Sequence, residues 1–201
     1  FPKFFHPDPS VDRRSGLLQP RLNNSDILGT SFNLPYFHVI SPNKDLTFKP
    51  TIFDNRIYMF QNEYRQENKH SSFIADFSYI KGYQSKISGN DYSNRNSISH
   101  LFSKFDLNLG LKDFTRSKIK FFLEKVNNDT FLKVFDQHIN DTDLKPNDQN
   151  ILESNLKFNF VNEEYSLDGG FTVYEDLEKN SSDRYQYVLP YFNFNKNISE
   201  N

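Results

Sequence analysis

The chain has 201 residues, 25% of them charged and 36% hydrophobic, with a formal net charge of −2. That balance excludes the strong positive field on which nucleic-acid binding depends, and no apolar run approaches the ~18 residues of a membrane-spanning helix. With no cysteine, disulfides, Cys-ligated zinc and thiol catalysis all drop out. The apolar material lies mostly in rings, 22 Phe and 11 Tyr. A membrane β-barrel stays open, because its strands are apolar only at alternate positions. The chain starts at Phe1 without an initiating Met or an apolar leader, and reads as an excised fragment.

In chain order, ten strands are expected near 15–23, 27–40, 44–54, 56–67, 71–82, 97–110, 114–126, 151–161, 164–177 and 184–196. Their common signal is a period of two. Tyr58, Phe60 and Tyr64 alternate with Gln61, Glu63 and Arg65. Phe73, Ala75, Phe77 and Tyr79 share a face opposite Asp76 and Ser78. Leu101, Phe105, Leu107 and Leu109 oppose Lys104, Asp106 and Asn108. Leu152, Leu156, Phe158 and Phe160 oppose Glu153, Asn155, Lys157 and Asn159. The stretch 116–136 also admits an amphipathic helix, although Asn127, Asn128 and Asp129 favour a turn within it.

Loop length is a second signal. The gaps around Pro42, Glu67 to His70, Gly110 to Asp113 and Asn162 to Glu163 are short, whereas the long ones, about 83–96 and 127–150, follow the fifth and seventh strands. Both long gaps therefore fall on one edge of the sheet, the parity of outer-membrane barrels. The expected strands exceed the ~5–6 residues usual in soluble sheets. Tyr36, Tyr58, Tyr79, Tyr165 and Tyr185 suit an interfacial girdle. A soluble β-sandwich, its apolar face against a second sheet, fits the alternation equally well.

The N-terminal fifty residues narrow the choice. Arg13, Arg14, Ser15, Gly16, Leu17, Leu18 and Pro20 form one block; Leu34, Pro35, Tyr36, Phe37, Pro42, Asn43, Asp45, Thr47 and Pro50 form the later ones. Together they resemble the LptD family of LPS-assembly outer-membrane proteins. Asn62-Glu63-Tyr64-Arg65 and the run from Val126 to Asp136 are similar to further family segments. The resemblance implies an all-β chain, about ten strands of a larger antiparallel transmembrane β-barrel forming a curved open sheet. Residues 1–14 would end a periplasmic jellyroll or linker, and 15–201 would be the N-terminal part of the barrel. It implies no enzymatic activity and no cofactor. The implied partners are lipopolysaccharide, the plug lipoprotein LptE, the periplasmic bridge protein LptA, the barrel-assembly machinery and outer-membrane lipid, with no nucleic acid.

In the family, the prolines corresponding to Pro20 and Pro35 weaken a lateral gate. Proline has no N–H, so each one in a strand removes a ladder bond. If the turn is centred between Pro42 and Asn43, paired numbers sum to 85 and Pro35 faces Pro50, leaving a hole that lets the second and third strands splay. The remaining motif positions are Arg14, Ser15, Gly16, Tyr36, Asn43 and Asp45. Glu63, Arg65, Asp76, Lys104, Asp106, Glu153 and Lys157, with Lys49, Gln61 and Asp168, are expected to line a hydrated lumen of mixed sign. Another outer-membrane porin or receptor barrel, and a soluble carbohydrate-binding sandwich, are the alternatives. The five His (6, 38, 70, 100, 138) show no metal-ligand spacing, and no nucleophile–base grouping emerges.

Overall fold

The computed structural model describes residues 13–54, 56–83, 97–139, 142–180 and 182–196; the expected jellyroll end lies almost wholly outside them. Twelve strands form one sheet. They are β1 (Gly16–Leu17), β2 (Arg21–Ser25), β3 (Gly29–Asn33), β4 (Tyr36–Ser41), β5 (Lys44–Phe53), β6 (Tyr58–Glu67), β7 (Ser71–Lys81), β8 (Ser97–Asn108), β9 (Arg116–Val126), β10 (Ile151–Val161), β11 (Tyr165–Asp176) and β12 (Tyr185–Lys196). A short helix, α1 (Phe131–Phe135), and a 3-10 turn at Asp136–His138 lie between β9 and β10.

From β4 to β12 every strand pairs antiparallel with the next in sequence. The result is a curved, open meander of the kind a barrel fragment forms. Every described strand belongs to it, so the second layer required by a sandwich is absent among the described residues. β5 to β12 run 10 to 12 residues, near the ~9–11 of a tilted membrane strand.

The sequence reading differs at the start. The first two expected strands each appear as two, β1 with β2 and β3 with β4. The breaks fall at Pro20 and at Leu34-Pro35, where a missing N–H interrupts the ladder. Leu17 faces Tyr36 while Arg21 faces Asn33, so the pairing slips by one residue across the break. The helical alternative over 116–136 is also corrected. That stretch is strand through Val126, and helix begins only at Phe131, after a turn in which Asn128 Oδ1 accepts from the Thr130 amide (3.0 Å) and hydroxyl (2.8 Å).

Alternation gives the sheet two unlike faces. Phe60 and Phe77 are 42% and 43% exposed, whereas Gln61 and Asp76 on the opposite face are 2% and 0%. These polar groups are hidden by the curl of the sheet and by the β9–β10 connection folded over it. The apolar face bears no second layer: Phe105 and Phe158 are half-buried among neighbours of their own sheet. Aromatic residues gather at the short-turn edge, where Phe114 lies 5.8 Å from Phe160 and 6.0 Å from Tyr165, itself 5.8 Å from Phe194. Tyr58, Tyr79 and Tyr185 stand exposed near the other edge.

Both long connections do leave from one edge, because antiparallel strands alternate direction. The one between β9 and β10 folds back over the curled face. Its Phe131, Leu132, Phe135, Ile139 and Leu144 pack with Phe53, Met59, Ile80, Ile98, Phe102 and Val126 from five strands, and this cluster is the principal apolar core. Burying each such side chain contributes ~1.5–3 kcal/mol, enough to hold a long loop down.

Candidate functional site

The first strands are interrupted around their prolines. Only Gly16 and Leu17 of β1 pair with β4, opposite Phe37 and Tyr36, and the Leu18 amide adds one bond to the Pro35 carbonyl at 2.8 Å. In an antiparallel pair a residue's N–H and C=O address the same neighbour. Pro35 therefore aims at the first strand but returns no donor. The Pro50 carbonyl accepts from the Leu34 amide at 3.3 Å and from Asn33 Nδ2 at 3.1 Å, again with no N–H to return. Pro20 lies in the break between β1 and β2.

The expected confrontation of Pro35 with Pro50 does not occur. Ser41 faces Lys44, which gives the anticipated sum of 85 at the turn; a bulge between Val39 and Ser41 then drops the sum to 84. Asn33 faces Thr51 and Tyr36 faces Phe48, so pairing continues on both sides of Pro35, and Pro50 falls opposite Leu34. The bulge had no signal in the sequence beyond Ile40, half-exposed at the slip.

The motif residues anchor this region. Ser15 Oγ accepts from the Val39 amide at 2.8 Å. Asp45, 2% exposed, accepts from Arg13 Nη2 and, at 2.9 Å, from Arg65 Nε, while the Arg13 guanidinium also lies 5.3 Å from the Phe37 ring centre. The segment preceding β1 is thereby tied to β4, β5 and β6. Asn43 Nδ2 donates to Asn68 Oδ1 at 2.9 Å and the Glu67 amide donates to the Asn43 carbonyl at 2.9 Å, joining two neighbouring short turns. Tyr36 stacks on His38 at 6.4 Å. Gly16 lies in β1, and Arg14 is exposed just before it.

Glu63, Arg65, Asp76, Lys104 and Asp106 share one face, and the β9–β10 register continues it to Glu153 and Lys157. The charges on β5 to β7 are satisfied internally, with help from His100 on β8. Lys49 Nζ donates to Glu63 Oε2 at 3.1 Å. Gln61 Nε2 donates to both Asp76 oxygens at 2.8 and 3.1 Å, and His100 Nε2 lies 2.6 Å from Asp76 Oδ1, with Ser78 Oγ 2.6 Å from His100 Nδ1. Ser, His and Asp are the residue types of acyl transfer, but His100 and Ser78 are each 3% exposed and the Phe131 ring lies tilted 4.9 Å from the imidazole. The network serves the fold. The sequence noted His100 only as a histidine without metal-ligand spacing, although its place two residues before Phe102 and four before Lys104 puts it on the same face.

The β9–β10 loop reaches across to β3 and β5. His138 Nε2 lies 3.1 Å from Ser31 Oγ on β3, and its ring is 4.8 Å from Phe53 on β5. Burial holds the imidazole below the usual histidine range, and its Nδ1 is buried without a hydrogen-bond partner. At the same edge, hydrogen bonds to Asp129 and then Glu175, both at 2.7 Å, hold the Arg184 guanidinium above its usual range.

Among known proteins, the chain is 45% identical over 65 residues to an LPS-assembly protein LptD from Polaromonas sp., covering 32% of this chain and 8% of that protein. It is 37% identical over 68 residues to the LptD of Actinobacillus pleuropneumoniae (34% and 9%) and 33% identical over 90 residues to that of Pasteurella multocida (45% and 11%). The chain thus matches only about a tenth of the length of these relatives. No protein-family profile matches it.

Proposed function

We infer that this chain, whose partial matches are those of a fragment of an LptD-type LPS-assembly protein, forms the part of an outer-membrane barrel beside its lateral seam and is a transport element rather than an enzyme. An LPS molecule has acyl chains that avoid water and a sugar and phosphate head that must cross hydrocarbon. A closed barrel pairs every backbone donor and acceptor in lipid, so releasing such a molecule sideways needs a seam that opens cheaply. The observation that carries the reading is the one-sided bonding at Pro35 and Pro50, on strands that Pro20 and Leu34-Pro35 have already cut short.

In this reading the acyl chains leave between the first strands and the barrel's closing strand, while the head follows the polar face. Glu63, Arg65, Asp76, Lys104, Asp106, Glu153 and Lys157 are the lumen lining, and Pro20, Pro35 and Pro50 are the gate. Partners for the whole protein are LPS, the plug lipoprotein LptE inside the barrel, the LptA bridge, the barrel-assembly machinery and outer-membrane lipid. Replacing Pro20 and Pro35 with Val in the full-length protein restores two donors. Delivery of LPS to the cell surface is expected to slow while barrel assembly persists; unchanged delivery, with the new amides protected from exchange, would refute the gate.

A further inference from the structure

The polar face has two halves of different character. On β5 to β7, with His100 of β8, its charged groups pair at hydrogen-bond distance, as described above. On β8 to β10 they do not. Lys120 stands directly opposite Lys157 in the ladder, and Lys118 and Arg116 follow at two-residue steps on the same face. Like charges directly opposite destabilise a sheet. The nearest acids only partly compensate: Asp106 is 3.6 Å from Lys104 and 3.9 Å from Lys120, and Glu153 is 3.8 Å from Lys157, all outside hydrogen-bond reach. Among the described residues, Arg116 and Lys118 form no ion pair.

These cations border a recess of about 510 Å³ that Asn159 and Tyr191 also line. One carboxylate, Asp168, lines it as well, and accepts from Asn193 Nδ2 at 3.1 Å. Gly170 faces both Lys157 and Tyr191 across the ladder. A Cβ at Gly170 would meet Lys157 Cγ at 3.1 Å, so the glycine lets the lysine stem lie down along the sheet. Asn159 Oδ1 is buried without a hydrogen-bond partner, an acceptor waiting for a donor.

We infer that this recess is a transient site for a phosphorylated sugar, the phosphate held by Lys118, Lys120 and Lys157, a hydroxyl donated to Asn159 and the sugar ring lying against Tyr191. The inference rests on the LPS-transport reading and adds a place where a head-group phosphate pauses. A phosphate removes the repulsion among the lysines and accepts charge-assisted bonds from them. The lysine side chains are about half exposed, with Lys120 at 58% and Lys157 at 47%. Their hold is therefore weak and screened by salt, as a transport site requires if it is to release its cargo.

The test uses the full-length protein with its assembly partner, carrying a photoreactive residue at Ser166, beside the recess, or at Gln186, on the same face but away from it. LPS and enzymatically dephosphorylated LPS are the probes. Capture at Ser166 is expected to fall about fivefold or more on dephosphorylation, roughly the loss of one charge-assisted contact, with capture at Gln186 unchanged. Lys118→Gln with Lys157→Gln should lower capture of intact LPS to the dephosphorylated level; Lys118→Arg with Lys157→Arg should retain it, which separates lost charge from lost fold. Equal capture of the two lipids at Ser166 would overturn the phosphate site and leave the transport reading standing. Displacement of LPS by millimolar inorganic phosphate would overturn it in favour of a free-anion site. Absence of capture at both positions would sink the transport reading together with the site.

Discussion

The Leu34 amide donates to the Pro50 carbonyl at 3.3 Å, and Pro50 has no N–H with which to return the bond. Half of that ladder rung is missing by chemistry, and the adjacent residue, Pro35, is itself a proline whose carbonyl serves the first strand. Donors are thus missing toward both neighbours of one strand. Facing prolines would have concentrated the loss in a single rung; staggered ones spread it across β1, β4 and β5.

A Pro50→Thr substitution keeps a β-compatible side chain and restores one donor. The account expects a gain of ~0.5–1.5 kcal/mol, the net worth of one backbone hydrogen bond. Hydrogen exchange at Leu34 and at the new Thr amide checks it. Protection should rise at both, and unchanged exchange would mean that the strands are held by side-chain packing instead.

Acidity should loosen the β9–β10 loop. Burial lowers the His138 pKa in the docked state, so the undocked loop binds the proton more readily. Docking is then full above the ordinary histidine pKa of 6.5 and weakens as pH falls from there through the lowered value. Protection factors of the Phe131 to Ile139 amides, corrected for the slowing of intrinsic exchange in acid, should fall across that window in the native chain. A His138→Gln variant should show no such step.

Asp76 accepts from Gln61 and pairs with His100 on the curled face. An Asp76→Ala substitution strands buried donors on both neighbours, each costing ~1–3 kcal/mol. The denaturant midpoint of the folded barrel should fall by a corresponding amount. Asp106→Ala, on a carboxylate whose ion pairs are long and solvent-reached, should change stability by under ~1 kcal/mol.

Two glycines should behave oppositely. A Cβ at Gly169 would stand 2.5 Å from both Phe158 Cζ and the Tyr191 carbonyl, so Gly169→Ala forces β10 or β12 to move, a cost of ~1–3 kcal/mol. Gly16 has nothing within 4 Å of its Cβ direction, and Gly16→Ala should assemble normally. The yield of heat-modifiable barrel separates the two cases.

Much of the architecture was legible because a single-layer sheet writes its two faces directly into the sequence. Phe60, Gln61, Glu63 and Asp76 could be assigned to faces from alternation alone, and the edge bearing the long loops followed from parity. What escaped was anything set by a departure from the period of two. The bulge between Val39 and Ser41 shifts Pro35 away from Pro50, and bulges leave little trace in composition. The loop core was missed as well, since Phe131 and Phe135 find their partners on β5 to β8, far away in sequence. At the polar site, Glu63, Arg65 and Asp76 were identified, whereas the basic half was read as balanced: Lys118 and Lys120 come next to Lys157 only through the register of β9 with β10. At Gly169 and Gly170 a Cβ would stand 2.5 Å from the Tyr191 carbonyl on β12 and 2.8 Å from the Leu156 carbonyl on β10.

In this reading the ring-bearing face meets lipid and the charged face meets water. Spin labels placed one at a time from Leu101 to Asp106 in the full-length protein, read against oxygen and against a water-soluble nickel chelate, test it most directly. The account predicts alternation, with oxygen favoured at Leu101, Ser103 and Phe105 and the chelate at Lys104 and Asp106. Chelate access at Leu101 and Phe105 equal to that at Lys104, or shielding of both rows by a second protein layer, would contradict it.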